Sequence, residues 1–151
     1  MGADARAGYT LGLLHSVGRL LLERLALGNF APLSGRKATA AAVLAWERDS
    51  FGFDSGVAAR RLFTLWNFAP ELGLALENCF SPQAAPHDRW AALLHLASWV
   101  AEKIGYGLAV EKECWTAGAD ILAQAGASKE LVDNCAEESA VDLAKLCKMV
   151  G

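Results

Sequence analysis

Four side chains on separate stretches of the chain are of the types that bind a divalent metal: His15, Glu47, Asp54 and His95. A helical protein becomes a hydrolase when several helices direct such groups at one metal ion, which activates a bound water as a nucleophile. A metal-dependent phosphohydrolase with a rearranged site is therefore one hypothesis. Metal analysis of the purified protein, with a phosphodiesterase assay in manganese, tests it.

Each candidate also has a simpler interpretation. His15 is expected to be a hydrogen-bonded histidine on an apolar helix face, and His87 and His95 to be surface or helix-start residues. Cys79 is expected to pack in the core, because no histidine is near it in sequence to activate a thiolate. No CxxC pair is present, so the sequence predicts no zinc site. The cysteines are Cys79, Cys114, Cys135 and Cys147.

The elements that must position these residues are predicted to be helices throughout. The 151 residues, 54% of them hydrophobic, suffice for one domain with a sizeable core. Apolar residues recur at helical spacing, and no alternating stretch predicts a strand. We expect an all-α, compact bundle of six to seven helices. The predicted helices are Tyr9 to Leu27, Ala38 to Ser50, Asp54 to Trp66, Pro70 to Phe80, Asp88 to Ile104, Glu111 to Ala125 and Lys129 to Val150.

Local signals refine this pattern. The first helix carries its apolar stripe on the face that includes His15, and Arg19 is expected mostly off that stripe. Asp54 and Ser128 are predicted to cap the helices that follow them. Residues 28–37 are predicted to form a loop, and the segment Gly105-Tyr106-Gly107 a break.

Charge and hydropathy exclude several classes of partner. The net charge of −3 is mixed along the chain without a basic block, so we expect no nucleic-acid partner. Apolar stretches end well short of the roughly 20 residues that span a bilayer, so we expect no membrane span. Residues 1–6 do not resemble a secretory signal, which favours the cytoplasm. No cofactor is implied.

Several segments together resemble the HDOD branch of the HD-superfamily phosphohydrolases. Residues 12–19, GLLHSVGR, are similar to the "GLLHDIGK" segment of that superfamily. Residues 51–55, FGFDS, and 66–70, WNFAP, after Glu47, resemble the branch's "E...FGFDHAEVGAALLERWNLP" stretch. Residues 77–82, ENCFSP, align with "I..HHEP", and residues 94–98, LHLAS, with "VHLAD".

The resemblance also implies that most metal ligands are lost. Within the matching segments His15 keeps a ligand position, whereas the other positions hold Ser16, Ser55, Cys79, Phe80 and Ser98. One imidazole does not hold a divalent ion tightly, so family-type hydrolysis is not expected. The resemblance covers Gly8 to about Ala101, and the usual module has a helical front part before the GLLH segment. We therefore expect one domain, 1–151, that lacks this front part and exposes a face needing cover.

Three functions follow as hypotheses. The family implies a non-enzymatic bacterial signalling module that binds a protein partner, with self-association as another way to cover the exposed face. The second hypothesis is the rearranged phosphohydrolase described above. The third is a small-molecule sensor whose vestigial pocket is formed by His15, Ser16, Asp54, Ser55, Cys79, Phe80, His95 and Ser98, and which suits a neutral ligand. Among five tryptophans, Trp90 and Trp99 are the first to test as partner anchors.

Overall fold

A computed structural model describes residues 4–26, 39–108 and 111–150. These residues form eight α-helices and one short 3-10 helix without a β-strand, which confirms the all-α prediction. The α-helices are α1 (Ala5–Leu14), α2 (Val17–Leu25), α3 (Ala40–Phe51), α4 (Ser55–Leu65), α5 (Pro70–Asn78), α6 (Arg89–Lys103), α7 (Ala119–Ala125) and α8 (Lys129–Val150), and the 3-10 helix is Pro82–Ala84. The predicted loop at 28–37 lies outside the described residues.

The first predicted helix is two helices, which accounts for the difference from the predicted count. A turn at His15 and Ser16 separates α1 from α2. The two helices have different neighbours, since α1 packs on α5 and α6 while α2 packs on α4. A Cβ at Gly18 would lie 1.9 Å from the backbone oxygen of Ser55, so only glycine permits this approach of α2 to α4. Tertiary packing therefore overrides the continuous helical pattern.

The main hydrophobic core lies where α1 and α3 to α6 meet. Its most completely buried members, each at most 2% exposed, are Leu11, Val43, Ala59, Phe63, Ala75 and Leu76. Helix α6 also packs on α7 and α8. The core there consists of Ala92, Leu96, Ile121, Ala125 and Val132. Helix α6 is thus shared by both parts of the core.

The helix predicted from Glu111 to Ala125 is wrong over its first half. The α-helix within this range is Ala119–Ala125, whereas residues 114–118 are not helical. Trp115 is buried there and stacks on Phe80 with ring centroids 4.6 Å apart. Glu113 has a positive φ of 71°, which also interrupts a helix. The packing of Trp115 therefore overrides the local helical propensity of this segment.

Local signals at other helix ends are confirmed. Asp54 Oδ1 accepts from the backbone N–H of Val57 at 2.9 Å, and Ser128 Oγ from that of Leu131 at 3.1 Å. Helix α8 has the predicted bounds, and Gly105, with φ of 86°, follows the end of α6. Over the described ranges, none of the helices combines the length and apolar character needed to cross a membrane.

Candidate functional site

A buried cluster of three charged side chains lies where α2, α3 and the turn at residue 111 meet. Arg19 Nη2 is 3.4 Å from Glu47 Oε1, and Arg19 Nε is 3.4 Å from Glu111 Oε1. Arg19 is 5% exposed, Glu47 fully buried and Glu111 4% exposed. The prediction that Arg19 lies mostly off the buried stripe is wrong, because the turn at residues 15–16 redirects α2. We call these three residues the charged cluster.

The hydrogen bonds of the charged cluster are incomplete. Glu47 Oε2 accepts from both the backbone N–H and the hydroxyl of Ser55, at 2.8 and 2.7 Å. By contrast, Glu47 Oε1 and the Nε and Nη2 atoms of Arg19 make no hydrogen bond with any residue that the structure describes, although all three are buried. Their 3.4 Å ion pairs exceed the 2.7–2.9 Å usual for charge-assisted hydrogen bonds. The attraction therefore offsets the cost of burying these charges only partly.

The charged cluster also carries more negative than positive charge, because two carboxylates face one guanidinium. Burial is the largest influence on Glu111 and raises its pKa above the usual value. Arg19 and His15 act in the opposite direction, and the repulsion of Glu47 raises the pKa of Glu111 further. Glu111 is therefore less readily ionised than an exposed glutamate.

Four predicted site residues do come together beside the charged cluster. His15, Ser16, Ser55 and Phe80 border, with Arg19 and Glu111, a space of about 10 Å³. His15 Nδ1 lies 2.8 Å from the carbonyl oxygen of Gly12, and His15 Nε2 lies 2.8 Å from Ser16 Oγ. This space holds about one water molecule.

Cys79 and His95 form a separate, neutral junction. His95 is 3% exposed, so its prediction as a surface or helix-start residue is wrong. Its Nε2 accepts from the backbone N–H of Thr116 at 3.0 Å, and therefore the proton is on Nδ1, which donates to the carbonyl of Cys79 at 2.7 Å. Burial is the main cause that lowers the pKa of His95. Burial also raises the pKa of the Cys79 thiol far above its usual value, consistent with the predicted core role.

Asp54 and Ser98 are engaged elsewhere. Asp54 caps α4, and its Oδ2 accepts from Arg48 Nε at 2.7 Å. Ser98 Oγ donates to the carbonyl of Leu94 at 3.0 Å. Ser98 faces a different cavity, which it shares with His15 and Glu111. The eight residues predicted for one pocket are thus distributed over several places.

Arg19 and Glu111 were not expected in any site. Glu47 was named only for the rearranged metal site, and there with Asp54 and His95, which lie in other contacts. The members of the charged cluster are far apart in sequence, so local spacing carries no signal of their contact. Within the described ranges no three His, Cys, Asp or Glu residues are grouped so as to hold a metal ion.

Comparison with known families gives one match. The model of the HDOD domain matches residues 1–79, slightly more than half of the chain. The chain belongs to the HDOD domain family. This family is associated with signalling, and the match includes Arg19, Glu47 and Ser55 but ends before Glu111. No curated protein and no solved structure matches the chain.

Proposed function

We propose that this HDOD domain is a non-enzymatic signal-transduction module of the bacterial cytoplasm that acts by binding a partner protein. The observation that carries the proposal is the position of the Arg19 guanidinium between Glu47 and Glu111. A fixed positive charge at this point opposes the binding of a divalent cation by the same carboxylates. The neighbouring space of about 10 Å³ also leaves no room for a phosphate ester.

An apolar groove between α6 and α8 supports binding of a partner. Its volume is about 430 Å³. Its lining residues are Leu93, Leu96, Ala97, Val100, Ala101, Ile104, Ala127, Leu131, Val132, Cys135, Ser139 and Leu143. Leu131, at the rim, is 54% exposed. A groove of this kind fits the apolar face of an amphipathic helix, so the proposed partner presents such a helix.

The packing and exposure of the tryptophans change which of them is the best candidate to contact a partner. Trp99 packs on the core, and the Nζ atoms of Lys103 and Lys129 lie 4.9 and 4.7 Å from its ring centroid. Trp90 packs on the main core. Trp66 is 49% exposed, which makes it the better candidate for a second contact with a partner.

Substitution of Leu131 tests the proposal. Leu131→Glu places a charge at the groove rim, so at least about a tenfold loss of partner binding is expected. The partner is first recovered by affinity purification from the source cells, and its affinity is then measured with purified components. Leu65→Glu is the matched control, because Leu65 is 78% exposed on α4. Equal binding by both variants would contradict the use of this groove.

The alternatives have measurements of their own. Stoichiometric metal in the purified protein, together with phosphodiesterase turnover in manganese, would contradict the non-enzymatic role. Self-association predicts a solution mass of twice that of the 16.0 kDa chain. A neutral ligand in the predicted vestigial pocket is the least favoured alternative, because the space bordered by Ser16, Ser55 and Phe80 is only about 10 Å³.

A further inference from the structure

A second, larger cavity lies on the other side of His15 and Glu111. Its volume is about 200 Å³, and its lining comes from α1, α6, residues 106–108, Glu111 and Trp115. Leu94, Ala97, Ala101, Leu108 and Trp115 supply apolar wall, and His15, Ser98 and Glu111 supply polar side chains. We call it the α1–α6 cavity. It combines apolar walls with a few convergent polar groups, as small-molecule sites do.

Among the residues that the structure describes, the carboxylates beside this cavity outnumber the guanidinium that pairs with them. Glu111 makes its ion pair with Arg19 through Oε1, and Arg19 is shared with Glu47. The two carboxylates of the charged cluster, when ionised, outnumber its one guanidinium and leave one negative charge in a buried place. Such a charge either takes up a proton or attracts a cation.

We propose that the α1–α6 cavity binds a small organic cation, whose protonated nitrogen pairs with Glu111 and whose apolar body packs on Trp115 and Leu94. Trp115 is buried and lines the same cavity, so an aromatic residue lies beside the proposed ion pair, as in sites that bind ammonium groups. This ligand site is additional to the proposed interaction role and does not depend on it.

The size of the cavity limits the ligand. Pockets that bind drug-sized ligands have volumes of about 300–1,000 Å³, whereas a dry cavity of about 150 Å³ accommodates benzene. A volume of about 200 Å³ therefore suits one six-membered ring with a short amine arm. The carboxylate of Glu111 disfavours an anion, and His15 and Glu111 are too few ligands for a tightly bound metal ion.

Three probes of nearly equal size and different charge test the proposal: benzylammonium, benzyl alcohol and benzoate. Benzylammonium is expected to raise the Tm of the purified chain, to shift the NMR signal of the Trp115 indole, and to bind at least tenfold more tightly than the other two. Binding of benzyl alcohol or benzoate with equal affinity would overturn the proposal. So would the failure of benzylammonium, cyclohexylmethylammonium and butylammonium to bind at about 10 mM.

Two variants locate the site. Glu111→Gln is expected to weaken the binding of benzylammonium at least tenfold and to leave the binding of benzyl alcohol unchanged. Glu137→Gln, at an exposed position of α8, is the control with the same charge change. Ala101 lines both this cavity and the groove between α6 and α8; Ala101→Leu adds volume at the shared wall and is expected to abolish binding, with the exposed Ala140→Leu as its control. If Glu111→Gln does not fold, Ala101→Leu decides the question. Unchanged benzylammonium affinity in a folded Glu111→Gln or Ala101→Leu variant overturns the proposal.

Discussion

The charged cluster and the His95 junction, formed by His95 with the backbone of Cys79 and Thr116, are two buried polar sites. They differ in how completely their polar atoms are hydrogen-bonded. The stacked rings of Phe80 and Trp115 contact both, because Arg19 Cζ lies 5.9 Å from the Phe80 centroid and the His95 ring lies 5.2 Å from that of Trp115. Both nitrogens of His95 have backbone partners. In the charged cluster, three buried polar atoms have ion-pair contacts at 3.4 Å but no hydrogen bond within the described part of the chain.

This difference in hydrogen bonding distinguishes a residue with a structural role from a site that can bind a ligand. A neutral imidazole with two hydrogen bonds is inexpensive to bury, and it joins the end of α5, α6 and the segment at Thr116. A cluster with unmatched charge lowers stability unless another group balances it. This contrast is why we place a ligand beside Glu111 and not beside His95.

The largest expected effect comes from removing the one cation of the charged cluster. Arg19→Ala leaves two buried carboxylates facing each other, which is expected to cost about 3–5 kcal/mol of unfolding free energy. Urea denaturation measures it. Arg24→Ala, on the exposed side of the same helix, is the control and should change stability by less than about 0.5 kcal/mol. A small loss for Arg19→Ala would mean that a carboxyl is already protonated.

Removing His95 should cost less, because the groups left behind are neutral. His95→Ala leaves the carbonyl of Cys79 without its donor, and we expect a loss of about 2–3 kcal/mol. His87→Ala, at an exposed position, is the control for the same measurement. A loss of unfolding free energy as large as that of Arg19→Ala would contradict the distinction between the charged cluster and the neutral His95 junction.

The pH dependence of His95 has a definite sign. Its pKa in the folded state is below the usual 6.5, so the unfolded chain binds more protons and stability falls as the pH drops below about 6.5. His95→Gln should make stability depend less on pH between about 6.5 and the lowered pKa. Chemical denaturation at several pH values checks this, and an identical pH profile for both proteins would contradict it.

Packing at Gly18 should have a moderate effect. Gly18→Ala places its Cβ against the backbone of Ser55, and the backbone of α4 does not shift easily. The substitution should therefore lower the free energy of unfolding by about 1–3 kcal/mol. At Gly12, on α1, a Cβ meets no atom of the described residues within 4 Å, so Gly12→Ala should raise stability by up to about 1 kcal/mol. The two Tm values should therefore move in opposite directions, and a rise in both would argue against the close approach of α2 to α4.

The smallest effect concerns the protonation of Glu111. The pKa of Glu111 in the folded state is above the usual 4.5, so the folded chain holds this proton more tightly than the unfolded chain does. The stability that this proton contributes is complete below pH 4.5 and is lost as the pH rises through the higher folded pKa. Glu111→Gln should therefore gain stability relative to the parent chain over that range. Denaturation of both proteins at several pH values measures the gain, and a constant difference would show that Glu111 titrates normally.

Much of the fold could be predicted because helix periodicity and caps are local properties of the sequence. Asp54 and Ser128 cap the predicted helices, and α8 has the predicted bounds. Ordered segments also pointed to the HDOD family, which the family match confirms. His15, Ser16, Ser55 and Phe80 lie together, although their role in binding stays a prediction.

Other features were decided only by the tertiary structure. The turn at His15 and Ser16 lies where α1 and α2 pack on different helices, and the non-helical segment around Trp115 lies where its ring stacks on Phe80. Arg19 becomes a buried residue because α2 approaches α4 at Gly18. Each of these outcomes depends on groups far apart in the chain, and their contact energies exist only once the helices have packed. Local spacing determined where the helices form, and packing determined which charges they bury together.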